Sequence, residues 1–594
     1  MPARRRVRTM PPMILARSAA AVAILLLAWG AHAADPAKVL HLATSDIDTL
    51  DPQQLQDKFS RDVADLIYEG MFEWDYLNRP AAAVPRTASG PPVISPDGKT
   101  WTIKIKPGIR FTDDPAFKGK PRELVAEDYV YSIKRYLDPN LRGGGEPMVA
   151  DLVIGMRGVV DAASKPGAKF DYNASIEGLR AIDRYTVQFK FREPNFPLGT
   201  SLLIINAVAR EVVEAAGGDI QARAVGTGPY MLKEWQRGTR VVLEANPAYR
   251  TLTFPTSKDP ALAPIVNAMK GKKLPAIGRI VFSVIDEQPV RLLEFDKGGL
   301  DFIELRGEAV GPYLQNGEIT PALAKRGVRR IQYATNSVRS LYVNIQDPVI
   351  GGMGTDRVAL RRAIALGIDA QTLIKVVYTG QGLVTNQITA PGISGYSADA
   401  KKRVYDPAAA AALLDRFGYD KRDAQGMRLA PGGKPLTVTL SIFTGTVWRE
   451  IQTLLKKNMD TLGIRIDFKV MPTQDLFKEA AQGKFMLNIH GRSASPEGTI
   501  FQTFYGPMPG EANETRFRYE PYDRALEDFL RAPDATSRQS AASTMTEILQ
   551  SYVPVMPLMV DVQNAFIQPW LIGYYPSSFS AYFQYMDIAG APSR

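Results

Sequence analysis

LTVTLSIFTGTVWREIQTLLKKNMDTLGIRIDFKV, residues 436–470, is the stretch on which the fold of this chain turns. Leu436 to Ile442 reads as a strand. Val447 to Leu462 reads as an amphipathic helix ended by Gly463, a residue that takes the left-handed conformation at a helix stop without penalty, and Ile464 to Val470 reads as a second strand. Strand, helix and strand of these lengths form a βαβ unit, whose crossover is right-handed in nearly all proteins. The pattern spreads through the C-terminal half. Asp369 can cap a helix running toward Gly380, and Asp406, Pro407 and Gly418 occupy N-cap, first-turn and post-helix positions around Ala411, Leu413, Leu414 and Phe417. Strands alternating with capped helices predict an α/β region built on a parallel or mixed sheet.

The N-terminal half has a different rhythm. Lys38 to Ala43 reads as a short buried strand, Leu50-Asp51-Pro52 as a turn, and Phe59 to Tyr68 as a helix with Val63, Leu66 and Ile67 on one face. After the turn signal Ser95-Pro96-Asp97-Gly98, Trp101, Ile103 and Ile105 alternate with Thr102, Lys104 and Lys106, and Val187, Phe189 and Phe191 alternate with Gln188 and Lys190. Between them Val130, Ile133 and Leu137 recur at helical spacing. The region is therefore expected to be antiparallel with one dry face. Thr251 to Lys273, rich in Pro and Lys, reads as a surface insertion.

Residues 1–33 read as a cleavable export signal: Arg4, Arg5, Arg6, Arg8 and Arg17 form a basic leader, Ser18 to Gly30 an apolar segment, and Ala31-His32-Ala33 a small-residue cleavage site. The apolar segment falls short of the roughly 20 residues that span a bilayer. The 594 residues exceed one ordinary core, so two to four units are expected. Loss of the five leader arginines would bring the formal charge from +10 to about +5, and no basic cluster is interleaved with stacking aromatics, which argues against nucleic acid. The chain has no cysteine, hence no disulfide, no thiolate metal site and no lipid-modified cysteine to tether it. A free-moving exported protein is expected in the periplasm. Only His41 and His490 would survive cleavage, too few for a histidine-rich metal centre, and each reads as structural.

Enzyme signatures are missing as well. No His-Glu metalloprotease pair at helical spacing, no phosphate-cradling Gly-Lys-Ser/Thr loop and no Gly-x-Ser-x-Gly nucleophile elbow occurs. No catalytic residue, metal ligand or cofactor is assigned. A carboxylate hydrolase, whose two acids leave no short motif, remains as the alternative from a different class.

Four blocks in order resemble the peptide-binding members of the extracellular solute-binding proteins, family 5, the oligopeptide and dipeptide receptors of ATP-driven (ABC) importers. They are Thr49-Leu50-Asp51-Pro52 with Glu69-Gly70-Met71-Phe72; Ser95 to Trp101 with Lys106 to Phe111 and Ala126 to Ser132; Gly226-Thr227-Gly228-Pro229-Tyr230 with Glu234-Trp235 and Asn246-Pro247-Ala248-Tyr249; and Val358 to Asp369 with Tyr405-Asp406-Pro407 and Leu413-Leu414. Read as local chemistry, the Gly226-Thr227-Gly228 block is backbone punctuation. The resemblance implies a type II periplasmic-binding-protein fold, α/β, with two lobes on a hinge plus an extra antiparallel-rich domain. By that analogy residues 35–78, 200–308 and 556–594 form lobe I, 79–199 the extra domain, and 309–555 the other lobe.

It also implies a ligand held between lobes by strand-like hydrogen bonds, from Gln56, Asp57, Lys58 and Phe59 on one side and Arg492, Ser493, Ala494 and Ser495 on the other. The second segment departs from the family's Gly-Trp-x-Ala-Asp: it reads Gly491-Arg492-Ser493-Ala494-Ser495-Pro496-Glu497. The acid that pairs with a peptide's ammonium is Ser495 here. Glu497, Asp57 or another acid must replace it, or the ligand lacks that amine, and Arg492 could face a carboxylate or phosphate. Trp448, at the strand-to-helix end of the βαβ unit, is a further candidate for the cleft wall. The implied function is a monomeric periplasmic receptor that delivers peptides or peptide-like solutes to permease subunits at the inner membrane. The other ligand classes left open are sugars, opine-like conjugates, haem and metal chelates.

Overall fold

The computed structural model describes residues 34–142 and 147–590, so the proposed export signal lies outside the described residues. The deciding stretch folds as read. Strands Thr437–Phe443 and Arg465–Met471 pair in parallel with Thr437 opposite Arg465, joined by the helix Thr446–Leu462. Ile451, Leu455, Met459 and Leu462 bury one stripe of that helix, and Gly463 ends it at φ +72°. The chain then returns through the helix Thr473–Gln482 to Leu487–Ser493, which pairs in parallel on the other flank of Thr437–Phe443. The two helices lie on opposite faces of the sheet. Val438, Leu440 and Ile442 share a core with Ile451 and Leu455, whereas Phe443 turns the other way and packs with Met471 and Leu476. The chain thus winds first one way and then the other across Thr437–Phe443, the arrangement whose strand carboxyl ends take ligands in open α/β sheets.

Those strands belong to a mixed seven-stranded sheet. Its order is Phe302–Leu305, Val555–Ile567, Arg329–Val343, Leu487–Ser493, Thr437–Phe443 and Arg465–Met471, with Gly382–Val384 also on Val555–Ile567. Arg329–Val343 and Val555–Ile567 run antiparallel for almost their whole length and pass from one core to another. Val555 to Val560 pack with Val338 and Leu341 in the core of the βαβ region, while Ala565 and Ile567 pack in a second core that starts at Leu40. Midway the register breaks: Ala334 faces Val562 and Val338 faces Val560, so residues 335–337 stand opposite Asp561 alone. A bulge of this kind bends and twists a ribbon locally.

The second core holds a four-stranded sheet, in the order Asp35–Thr44, Ile277–Val284, Arg240–Ala245 and Tyr230–Gln236, and the helix Lys58–Ile67. It continues without a break into the expected antiparallel sheet, Val93–Ile94, Thr100–Lys104, Thr186–Lys190 and Leu179–Asp183. Trp101, Ile103, Val187 and Phe189 supply the dry face. Asp97 makes the turn before it, accepting from Ser95 Oγ at 2.5 Å and Lys99 N at 3.1 Å.

Three readings change. Asp51 sits at a turn but is also fully buried, bound through both carboxylate oxygens by Arg135 at 2.5 and 2.6 Å. Gly226 and Gly228 are required for close approach, not for unusual dihedrals: a Cβ at either would lie 2.0–2.5 Å from the Ile67 or Leu66 carbonyl oxygen. The 251–273 segment is not a bare surface insertion. It carries the helix Ala263–Met269 and packs Phe254, Leu262 and Met269 with Tyr76, Tyr582 and Tyr585. Proline and lysine density marked its exposed side and hid its buried one.

Candidate functional site

Asp57 is the N-cap of the helix Lys58–Ile67 and accepts from Ser60 N at 2.8 Å, so its carboxylate is committed to the backbone. Gln56 and Lys58 are exposed and Phe59 is half-buried. Lys58 Nζ reaches one turn along the helix to Asp62 Oδ2 at 2.5 Å. Burial alone would lower the Lys58 pKa, but the carboxylates of Asp62, Glu304 and Asp65 outweigh it and hold the ammonium well above its ordinary range. Burial pushes Asp62 up to about 6 against the pull of Lys58. Glu304 accepts from Tyr333 Oη at 2.7 Å and Tyr574 Oη at 3.0 Å, which ties this acidic group to the long strand Arg329–Val343.

The facing segment leaves the sheet at Ser493, opposite Ser337 in the bulge. Ala494 N donates to Asn336 O at 3.0 Å and Asn336 Nδ2 donates to Ala494 O at 2.8 Å, so both backbone groups of Ala494 are already paired. Arg492 donates to Glu514 Oε1 at 3.0 Å, with its guanidinium 5.6 Å from the Tyr342 ring centre. His490, 2% exposed, stacks on Tyr342 and contacts the same Glu514, the structural role expected of it. Ser495 Oγ lies 2.9 Å from Thr499 Oγ1 and accepts from Thr499 N at 3.4 Å, a local cap for the turn that follows.

Glu497 interacts with Arg538, on the helix Ala535–Tyr552 of the same lobe. Burial pushes its pKa up to about 7 although Arg538 pulls it down. The folded pKa is raised, so this group's contribution to stability is full below about pH 4.5 and falls away as pH rises through 7. Glu497→Gln is therefore expected to raise the melting temperature at pH 8, by the equivalent of about 1–3 kcal/mol, and to leave it unchanged at pH 4. Melting curves at the two pH values check this; an equal shift at both would refute the assignment.

Trp448 stands in the first turn of the helix Thr446–Leu462, just past the carboxyl end of Thr437–Phe443. Its ring packs on Phe443 at 4.8 Å and lies 5.4 Å from the guanidinium of Arg339, which pairs with Gly491 in the adjoining strand. The structure thus brings Trp448, Arg492, Ser493 and Ala494 to the carboxyl ends of two adjacent interior strands, Thr437–Phe443 and Leu487–Ser493. Gln56 to Phe59 lie on the other body, and no hydrogen bond or ion pair joins them to 492–497 among the described residues. The bodies do touch elsewhere, through Arg531 and Glu193 at 3.5 Å. Arg339, Asn336 and Glu304 were not singled out in the sequence, because each lies in an unremarkable run whose neighbours are set by strand pairing, and Tyr378 and Asp62 sit on helices whose tertiary contacts no local pattern records.

Two cavities of about 200 and 300 Å³ lie apart from these residues, one beside Asn246 and Tyr249, the other beside Gln387 and Arg403. No cluster of three or more His, Asp or Glu among the described residues could hold a metal ion, and no described helix is long and apolar enough to cross a membrane.

The chain is 22% identical over 481 residues to a dipeptide-binding protein of Escherichia coli K12, covering 78% of each chain. It is 23% identical to di/tripeptide-binding protein 2 of Pseudomonas aeruginosa UCBPP-PA14, covering 95% of this chain and 98% of that one. Among solved structures, HbpA2 from Haemophilus parasuis superposes with a TM-score of 0.71 at 18% identity, over 93% of this chain and 99% of that one. The fold is that of the two-lobed periplasmic binding proteins, as the resemblance implied. With residues 82–510 matching the middle region that defines them, this chain belongs to the bacterial extracellular solute-binding proteins, family 5.

Proposed function

We propose that this protein is the periplasmic receptor of an ABC importer, which closes two lobes over a peptide or peptide-like solute and presents the closed form to the permease. One observation carries the reading. The strands Arg329–Val343 and Val555–Ile567 cross from one core to the other and are bulged where Asn336 holds Ala494, so the candidate cleft segment is fastened to the element that must bend. A ligand touching both lobes favours closure by its differential affinity, and no covalent step is needed. The relatives named for dipeptide and di/tripeptide binding support the peptide class. Of the acids considered as replacements for the family's aspartate, Asp57 is occupied as a cap, and burial raises the Glu497 pKa. Lobe I is assigned residues 35–78, 200–308 and 556–594, with 79–199 attached to it and 309–555 as the other lobe; Leu40 and Ile567 share one core, whereas Met556 to Val560 pack in the core of the 309–555 lobe, so the last long strand is divided between the two. The protein acts as a monomer, free of the membrane.

The test incubates the purified protein with tri-alanine and tetra-alanine. The peptides should be recovered intact, the melting temperature should rise by the equivalent of about 2.7 kcal/mol at a hundredfold excess over Kd, and the radius of gyration by X-ray scattering should fall. Hydrolysis of the peptides would turn the reading toward an enzyme. A response to haem, a ferric chelate or a sugar, with none to peptides, would replace the ligand class.

A further inference from the structure

The cavity of about 300 Å³ beside Gln387 carries three cations in a row on its wall, Lys401, Lys402 and Arg403, and none of them pairs with an acid among the described residues. Lys401 and Lys402 are exposed. Arg403 is held in place: its two Nη groups donate to the carbonyls of Pro557 at 2.9 Å and Ala365 at 2.7 Å, and its Nε is buried without a partner. Burial pulls its pKa down to about 10, with no carboxylate acting against it. Arg135 and Arg86 are neutralised instead, by Asp51 and by Glu69 and Glu73. Arg361, which also lacks an acid, makes four bonds to carbonyls where Arg403 makes two. A cation withdrawn from water is costly unless an anion faces it. The cavity is shaped in advance: Gln387 Nε2 donates to Ser397 O at 2.8 Å and Gln387 Oε1 accepts from Ser397 N at 3.0 Å, which fastens one wall to the other. The side chains of Gln371, Asn386 and Tyr396 line it with no hydrogen bond among the described residues. The one acid on the wall, Asp369, is spent on the N-cap of the helix Ala370–Val377, accepting from Thr372 N at 2.9 Å and Thr372 Oγ1 at 2.6 Å. Asp399 is exposed on the same loop and does not line the cavity.

We propose that this cavity is a second binding site, separate from the interlobe cleft, for the phosphate ester of a small polyol such as glycerol. Lysine binds phosphate as a point charge, and a tetrahedral phosphate turns oxygens in several directions, which suits cations arriving from three residues better than a planar carboxylate does. The amides of Gln371 and Asn386 both donate and accept, as hydroxyl groups require. At about 300 Å³ the space is at the small end of ligand sites, too small for a long chain. Free glycerol phosphate carries this chemistry, and so does the headgroup of an anionic phospholipid such as phosphatidylglycerol. For the lipid, Val384 and Tyr405 on the wall and their neighbours Leu383 and Val404, 38–57% exposed, offer an apolar lip.

Calorimetry on the full chain at low salt, with sn-glycerol 3-phosphate, glycerol and glycerate, tests the site, and co-sedimentation measures binding to phosphatidylglycerol and phosphatidylcholine vesicles. The variants are Lys401→Gln/Lys402→Gln and, as a control of equal charge, Lys165→Gln/Lys169→Gln, at two exposed lysines elsewhere in the chain. Wild type and the control should bind glycerol phosphate and not glycerol. The Lys401→Gln/Lys402→Gln variant should bind it ~10- to 100-fold more weakly at the wild-type melting temperature. Binding to phosphatidylglycerol but not phosphatidylcholine vesicles, lost in that variant and kept in the control, assigns the lipid as the source. Binding of glycerol phosphate without vesicle binding assigns the free ester. No response to glycerol phosphate or to vesicles, an equal affinity for glycerate, or the same loss in both variants overturns the proposal. Tri-alanine should behave identically in all three proteins, so the cleft reading and this one fail separately.

Discussion

Glu69→Gln should cost about 3–5 kcal/mol of unfolding free energy at pH 7, the loss expected when one partner of a buried ion pair is removed. The Glu69 side chain is fully buried and accepts five hydrogen bonds: from Arg86 Nε at 2.7 Å, two from the Arg250 guanidinium at 2.7 and 2.9 Å, from Tyr249 Oη at 2.8 Å, and from Thr227 Oγ1 at 2.9 Å. Glutamine keeps the shape and loses the charge, leaving two guanidiniums side by side with less to offset them. Burial acts to raise the Glu69 pKa, but Arg250 and Arg86 more than reverse it and hold it at about 2. A depressed folded pKa means stability that is complete above the unfolded value near 4.5 and lost as pH falls through 2, on the order of 3 kcal/mol in all. The difference between wild type and Glu69→Gln should therefore shrink steadily from pH 5 to pH 2. Denaturant unfolding across that range measures it, and a difference that stays constant, or never exceeds about 1 kcal/mol, would show that the network contributes little.

Arg135→Met is expected to be comparably severe, about 3–5 kcal/mol, because it strands the carboxylate of Asp51, which is 0% exposed. Gln53 N and Gln54 Nε2 would still donate to Asp51, at 3.1 and 2.7 Å, and soften the loss without supplying a charge. The double variant Asp51→Leu/Arg135→Met should be less destabilised than the two single losses combined, since removing both charges removes the uncompensated one. A double-mutant cycle by chemical denaturation decides the matter; strict additivity would mean that the pair is not coupled.

These two networks show where reading the chain stops. Thr227 and Tyr249 stand in a different resemblance block from Glu69, 158 and 180 positions away, and nothing local indicates that they meet at its carboxylate. Asp51 reads as a turn residue because its turn chemistry is local, whereas its partner Arg135 lies 84 positions away on a helix whose apolar spacing gives no reason to single it out. In the candidate site, Trp448 was legible because it opens the helix of a recognisable βαβ unit, whereas Arg492 and Ser493 entered only through the family resemblance. Asp57 and Ser495 were legible as positions but not as roles, since both carboxylate and hydroxyl are spent on backbone caps.

By itself the chain determined what depends on near neighbours: the βαβ unit at 436–470, the helix stops at Gly418 and Gly463, the alternating dry faces around Trp101 and Phe189, and the absence of thiol chemistry. Periodicity, capping and composition act within a few residues, so they survive without a third dimension. The tertiary structure alone decided that two long strands cross between cores, that a three-residue bulge faces Asp561, and that Arg339 arrives beside Trp448 with a donor unpaired. Those outcomes depend on pairing between residues more than a hundred positions apart, where register is set by the whole sheet and no local preference records it.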